Sequence, residues 1–187
     1  MRHLTRPAAI LVVPIVLASC GEASPPTASL ADGIQARAEA VPSDISVNIL
    51  DACDAASFNA AVGAGTCSRP GGMTFSQFIA ELEKHQVVQA WDFAPPAFQA
   101  QVGQTIVATN RGGEEHTFTH VTEFGGGIVP ILNTLSGNPV VAPECNALQA
   151  DDFVAPGSTY REPLDQSGTP KFQCCIHPWM RAVVRVQ

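Results

Sequence analysis

Apolar and polar positions change their period along the chain. In "MTFSQFIAELEKHQ", Phe75, Phe78, Ile79 and Leu82 stand at i, i+3, i+4 and i+7, which predicts an amphipathic helix. Thr74 and Gln77 fit a capping box at its start, and the bland role of such a helix is to plug one end of a core. From Val87 the period shortens to two. "VVQAWDF" puts Trp91 and Phe93 on one face, "TIVATN" follows a turn at Val102–Gln104, and "HTFTHVTEF" aligns Thr117, Thr119 and Val121. "RAVVRVQ" reads as a β-branched final strand. Short strands punctuated by Gly and Pro predict an all-β sandwich of Greek-key type, preceded by a helical extension. The Gly/Pro-rich stretch from Phe124 to Phe153 is long for a loop, and such loops are often functional.

The N-terminus follows different rules. Arg2 and Arg6 precede an apolar run from Ala8 to Ala18, too short to span a bilayer but suited to an export signal. It ends in "LASC", and small residues before Cys20 resemble a lipobox, which predicts lipidation of Cys20 and a membrane anchor in the cell envelope. An Ala/Pro/Ser-rich tether follows. The predicted organisation is therefore a signal peptide at 1–19, lipidated Cys20 with its tether at 20–47, a helical extension at 48–86 and a β domain at 87–187.

Charge narrows the partners. The whole chain carries a formal −7. Without residues 1–19 it has 8 Lys+Arg against 17 Asp+Glu, a net of −9, which argues against nucleic acid. Export permits disulfides. Five cysteines remain after Cys20: Cys53, Cys67, Cys145, Cys174 and Cys175. The odd number leaves at least one for another use. Cys53 and Cys67 enclose a loop of suitable length for a local disulfide.

The candidate chemistry lies in "FQCCIHPWM". Cys174, His177 and Met180 are spaced i, i+3, i+6, a thiolate, an imidazole and a thioether on one short loop. Two histidines, a cysteine and a weak axial methionine make a blue-copper site, and His116 closes "NRGGEEH" upstream.

"GTPKFQCCIHPWMRAVVRV" resembles the C-terminal ligand loop of the cupredoxins, most of all the amicyanin subgroup. Gly168, Thr169, Phe172, Cys174, His177, Pro178, Trp179, Met180 and Arg181 stand where that pattern places them. "VGQTIVATNRGGEEH" resembles the family's strand before the first histidine ligand, and Asn110 and His116 keep its interval. The resemblance covers roughly residues 88–187. It implies one type 1 copper ion held by His116, Cys174, His177 and Met180, one-electron transfer rather than enzymatic chemistry, an exposed His177 as the electron edge, and a redox protein docking near His177 and Trp179, over Pro178 and the glycine-rich loop. The acidic surface suits a basic partner.

The chain departs from the pattern at Cys175, Ile176 and Thr117. Two of these are the polar positions that hydrogen-bond across the family's ligand loops, so the surroundings of the ligands are expected to differ. Cys174 could instead pair with Cys145, or with Cys175 in a strained vicinal ring. Strand alternation, which sends adjacent side chains to opposite sides, favours Cys145–Cys175 with Cys174 left as thiolate, the alternative being that Cys145 and Cys175 stay reduced. His85, at a helix end, and His120 read as solvated. A copper enzyme would need further histidine clusters, and only His85, His116, His120 and His177 follow residue 19. Copper trafficking, which favours Met- or His-rich tracts, and a metal-free structural sandwich are the remaining alternatives.

Overall fold

A computed structural model describes residues 43–187. The signal segment, Cys20 and most of the tether lie outside the described residues. The described chain runs β1 (Ile45–Leu50), α1 (Ala55–Ala61), α2 (Phe75–His85), β2 (Asp92–Ala94), β3 (Ala97–Ala100), β4 (Thr105–Asn110), β5 (His116–Thr117), β6 (Thr119–Val121), α3 (Pro130–Leu135), β7 (Phe153–Val154), β8 (Thr159–Pro163), β9 (Lys171–Gln173) and β10 (Arg181–Val186).

Two four-stranded sheets, ordered β2-β1-β4-β8 and β3-β10-β9-β6, form the sandwich, and β5 pairs with β7 beside them. Alternation builds the inner faces. Val47 and Ile49 of β1, Ile106 and Ala108 of β4, and Ala182, Val184 and Val186 of β10 are all buried. The buried rings of Phe93, Phe118 and Phe172 join the layers, with Phe118 against Phe93 at 4.9 Å and stacked on Phe172 at 4.6 Å between centroids. β1 runs parallel to β4 and pairs from Ile45 to Ile49. Ile45–Leu50, which spans the expected boundary between tether and extension, is thus a central strand of the sheet, and Ile45-Ser46-Val47-Asn48-Ile49 alternates as a strand does.

"HTFTHVTEF" forms two strands rather than one. Phe118 is buried in the core, and the chain breaks there. His116–Thr117 then pairs with β7, while Thr119–Val121 pairs with β9. His85 and His120 are both exposed.

α2 starts with its capping box made: Gln77 N–H donates to the Thr74 hydroxyl, and the Gln77 side chain accepts from Thr74 N–H. It buries Phe78 and Leu82. Phe78 packs on Phe58 of α1 (5.5 Å) and Trp91 (4.8 Å). Burying a ring of this kind contributes about 1.5–3 kcal/mol. The helix closes one end of the sandwich, and that end holds the candidate site.

The Phe124–Phe153 stretch contains α3 and two 3-10 turns, Pro143–Asn146 and Ala150–Asp152. It has its own small core of Val121, Ala142, Cys145 and Cys175, flanked by Phe124, Val141 and Leu148. Gly127 is required there, because a Cβ at that position would lie 1.9 Å from the Cys175 carbonyl oxygen. Disulfides join Cys53 to Cys67 and Cys145 to Cys175, and Cys174 is the one free cysteine among the described residues.

Candidate metal centre

Two loops meet to make the site. The first, between β4 and β5, is pulled tight by Asn110, which is fully buried. Its side-chain amide donates to the carbonyls of Glu114 and Val154, each at 2.7 Å, and its Oδ1 accepts from Gly112 N–H. His116 follows directly, at the start of β5. The second loop joins β9 to β10. Cys174 N–H donates to the Met180 carbonyl (3.0 Å), and Met180 N–H donates to the His177 carbonyl (2.9 Å). This folds Cys174, His177 and Met180 onto one turn.

The donor atoms converge. Cys174 Sγ lies 3.7 Å from His116 Nδ1 and 3.8 Å from His177 Nδ1, and the two Nδ1 atoms are 3.3 Å apart. Ligands held about 2.0–2.3 Å from one ion stand roughly 3.5 Å apart in a trigonal arrangement, so these spacings fit a single metal ion. His116, Cys174 and Met180 show no exposure. A thiolate, two imidazoles and a thioether form a set that suits copper. The peptide N–H groups of Thr117 and His177 each point at the sulfur, at 3.4 Å.

Charge also fits a cation. Burial would raise the Cys174 thiol, but His116 and His177 beside it outweigh that and hold it well below the ordinary thiol range. Burial likewise opposes ionisation of Asp51, yet the hydrogen bond from His116 and those from the Glu114 and Gly113 peptides bring it down to about 2. Burial would lower His116, and Asp51 and Cys174 together push it up to about 9. Glu114 is raised chiefly by burial. Cys174 and Asp51, both driven toward their anionic forms, thus flank His116, a setting that favours a bound cation.

Each imidazole turns its other nitrogen to a carboxylate. His116 Nε2 is 3.0 Å from Asp51 Oδ2, both side chains wholly buried, and His177 Nε2 is 3.7 Å from Glu114 Oε2. Glu114 in turn accepts from Trp91 Nε1–H at 2.6 Å. Neither acid is evident from the sequence. Asp51 lies 65 residues from His116, and "LDAC" looks like a turn.

The surroundings correct one expectation. His177 is 3% exposed rather than an open edge. Phe78 of α2 stands edge-on to its ring at 6.4 Å, Trp179 lies 5.4 Å away, and Phe78 and Trp179 contact each other. Pro178 is buried as well, so the partly exposed groups here are Ile176 and Trp179. The departures at Thr117 and Cys175 retain a bond between the loops in a different form: Cys175 N–H donates to Thr117 Oγ1 at 2.8 Å.

The chain is 36% identical to plastocyanin of Vicia faba over 85 residues, which make up 46% of this chain and 75% of that protein. Among solved structures it is similar to a purple cupredoxin from Nitrosopumilus maritimus, at 15% identity over 77% of this chain and 100% of that one, with a TM-score of 0.44. It is also similar to a mutant of amicyanin in its Cu(I) form, at 20% identity over 51% of this chain and 73% of that one, with a TM-score of 0.35. No family model matches the chain.

Proposed function

The chain belongs to the cupredoxin family, and on that premise we propose that it carries single electrons on one type 1 copper ion held by His116, Cys174, His177 and Met180. The observation that carries this reading is the buried convergence of one thiolate and two imidazole Nδ1 atoms within 3.8 Å of one another. Copper, when bound, supplies the alternation between cuprous and cupric states. The protein's part is to keep the ligands in one geometry, so that little rearrangement accompanies transfer. Cys174 contributes a thiolate steadied by two peptide N–H groups. The two histidines are backed by carboxylates, and Phe78 and Trp179 keep water from the His177 side.

Burial of His177 shapes the route. Trp179 is the partly exposed ring beside it, so electrons pass through that ring rather than across a bare imidazole. A second way out runs from Cys174 through the Cys175 carbonyl, which accepts from Ile128 N–H at 2.7 Å. Ile128, Ile131 and Val140 are 43%, 59% and 77% exposed, and they extend the docking surface for a redox protein around the glycine-rich loop. The net charge favours a partner with a basic rim. Copper trafficking is disfavoured, because a carrier that hands over its ion needs an accessible donor.

The proposed setting is the cell envelope, with Cys20 lipidated and residues 20–47 tethering the domain to a membrane. This rests on the N-terminal motif. Among the described residues no helix is long and apolar enough to cross a membrane.

Reconstitution with Cu(II) tests the reading. An intense thiolate-to-copper band is expected, lost in Cys174→Ala and kept when Cys145 and Cys175 are both replaced by alanine. A colourless unaltered protein after copper loading refutes it.

A further inference from the structure

Asp51 sits in the short link between β1 and α1, in a part of the chain that the ligand motifs do not reach. Every group hydrogen-bonded to its carboxylate is a donor, although the Glu114 carboxylate lies within 4.8 Å. Oδ2 accepts from Gly113 N–H (2.8 Å) and Glu114 N–H (3.0 Å), and Oδ1 accepts from Gly113 N–H (2.9 Å) and Cys53 N–H (3.2 Å). His116 Nε2 completes the set. An ionised carboxylate only accepts, so Nε2 must carry a proton. In the neutral ring the lone pair is then on Nδ1, the atom that faces Cys174 Sγ.

The carboxylate is also fixed in place. Arg69 donates to the Asp51 carbonyl at 3.0 Å, and the next residue but one, Cys53, is tied to Cys67. The opposing loop leaves it no slack. A Cβ on Gly112 would lie 1.7 Å from Asp51 Oδ2, although the Gly112 backbone itself is one that other residues adopt.

We propose that Asp51 is a positioning residue that selects the His116 tautomer and aims Nδ1 at the metal, which makes the N-terminal extension a working part of the metal centre. The inference rests on the proposed metal site. Glu114 stands in the matching place behind His177, but at 3.7 Å and already engaged by Trp91 it grips less firmly. In Asp51→Asn the amide NH2 replaces either Oδ2, where it faces His116 Nε2 and the Gly113 and Glu114 peptide N–H groups, or Oδ1, where it faces those of Gly113 and Cys53. In the first case the ring takes the wrong tautomer, and in the second Cys53 N–H loses its acceptor. Gly112→Ala reaches the same end by another means, since it leaves Asp51 intact and displaces its carboxylate.

The test compares the unaltered chain with Asp51→Asn, Gly112→Ala and the control Asp54→Asn. Asp54 caps α1 by accepting from Ser57 N–H, and asparagine caps a helix equally well. Competition against a chelator should show Cu(II) affinity falling about 10–100-fold in the first two variants and holding in the control. In the unaltered chain loaded with Zn(II), nitrogen-15 NMR should place the His116 proton on Nε2 and the metal on Nδ1. Zinc bound through Nε2 overturns the proposal, and so do unchanged affinity and visible spectrum in both variants. If either variant fails to fold, the NMR assignment on the unaltered chain decides. Absence of the thiolate band in the unaltered, copper-loaded chain overturns the metal reading and this inference with it. A normal band there with unaffected variants overturns the inference alone.

Discussion

His116 and His177 approach the same sulfur at nearly equal distances, 3.7 and 3.8 Å, yet the protein holds them by different means. His116 is locked by polar contacts. Its Nε2 faces Asp51 at 3.0 Å, and the Asp51 carboxylate is itself caged by peptide N–H groups and by Gly112. His177 is held mainly by packing, with Phe78 and Trp179 against its ring and a looser carboxylate at 3.7 Å. Each side also has its own disulfide: Cys53–Cys67 stands next to Asp51, and Cys145–Cys175 stands next to the Cys174–His177 loop. A hydrogen bond to a buried carboxylate fixes direction and protonation. Packing fixes position and excludes water but does not select which ring nitrogen carries the proton.

The strongest way to break this contrast is Phe78→Ala. It removes the ring that covers His177 and should destabilise the fold by about 3–5 kcal/mol in denaturant titration of the metal-free protein. It should also speed hydrogen exchange around His177 and leave His116 protected. Removing the disulfides one at a time separates the two sides. Alanine at Cys145 and Cys175 opens a loop of sequence separation 30, and alanine at Cys53 and Cys67 one of 14. Loop entropy predicts a loss of about 3–4 kcal/mol for either, slightly larger for the longer loop. Only the first should broaden the copper spectrum, because only that bridge holds the ligand loop.

A third test uses pH. His116 titrates at about 9 in the folded metal-free protein against 6.5 ordinarily. Its raised value means that the stabilisation is complete below pH 6.5 and is lost as pH rises through about 9. Cys174, held well below its ordinary range, contributes with the opposite sign over the same window, so the two offset and the unfolding midpoint of the metal-free protein should stay nearly level between pH 6.5 and about 9. In Cys174→Ala the compensating proton is gone, and the midpoint should fall as pH rises through that window. The smallest effect is expected from Thr117→Val. Thr117 Oγ1 accepts from Cys175 N–H and from the Thr119 hydroxyl, so its removal should cost about 1 kcal/mol and shift the copper spectrum slightly.

The two sides were unequally legible in the sequence. The spacing of Cys174, His177 and Met180 is local, and so are the period of α2 and its Thr74–Gln77 cap. Each puts a recurring signal into a short window, and the structure places them close to where that signal points. The β texture of "TIVATN" and "RAVVRVQ" was equally clear, since alternation survives wherever one face is buried. "HTFTHVTEF" misled because alternation cannot report that Phe118 turns into the core and sends its neighbours to different partners. Asp51, Glu114 and the cover of Phe78 over His177 left no local trace. They act across separations of 63 to 99 residues, and an isolated acid in a turn looks the same whether it faces water or an imidazole. The long Gly/Pro-rich stretch hid α3 because that helix is a single short piece, started by Pro130 and carrying no amphipathic repeat.

The burial of Cys174 has a consequence for the chemical lifetime of the protein. A thiolate is the form that attacks peroxides and disulfides most readily, and an exposed sulfur of this kind would soon be lost to sulfenic acid or to a mixed disulfide. Here the sulfur shows no exposed surface, with Phe78 and Trp179 closing the His177 side of its pocket. The wall that keeps water from the site thus also serves as an antioxidant barrier, so a chain that has lost its ion stays able to take up another.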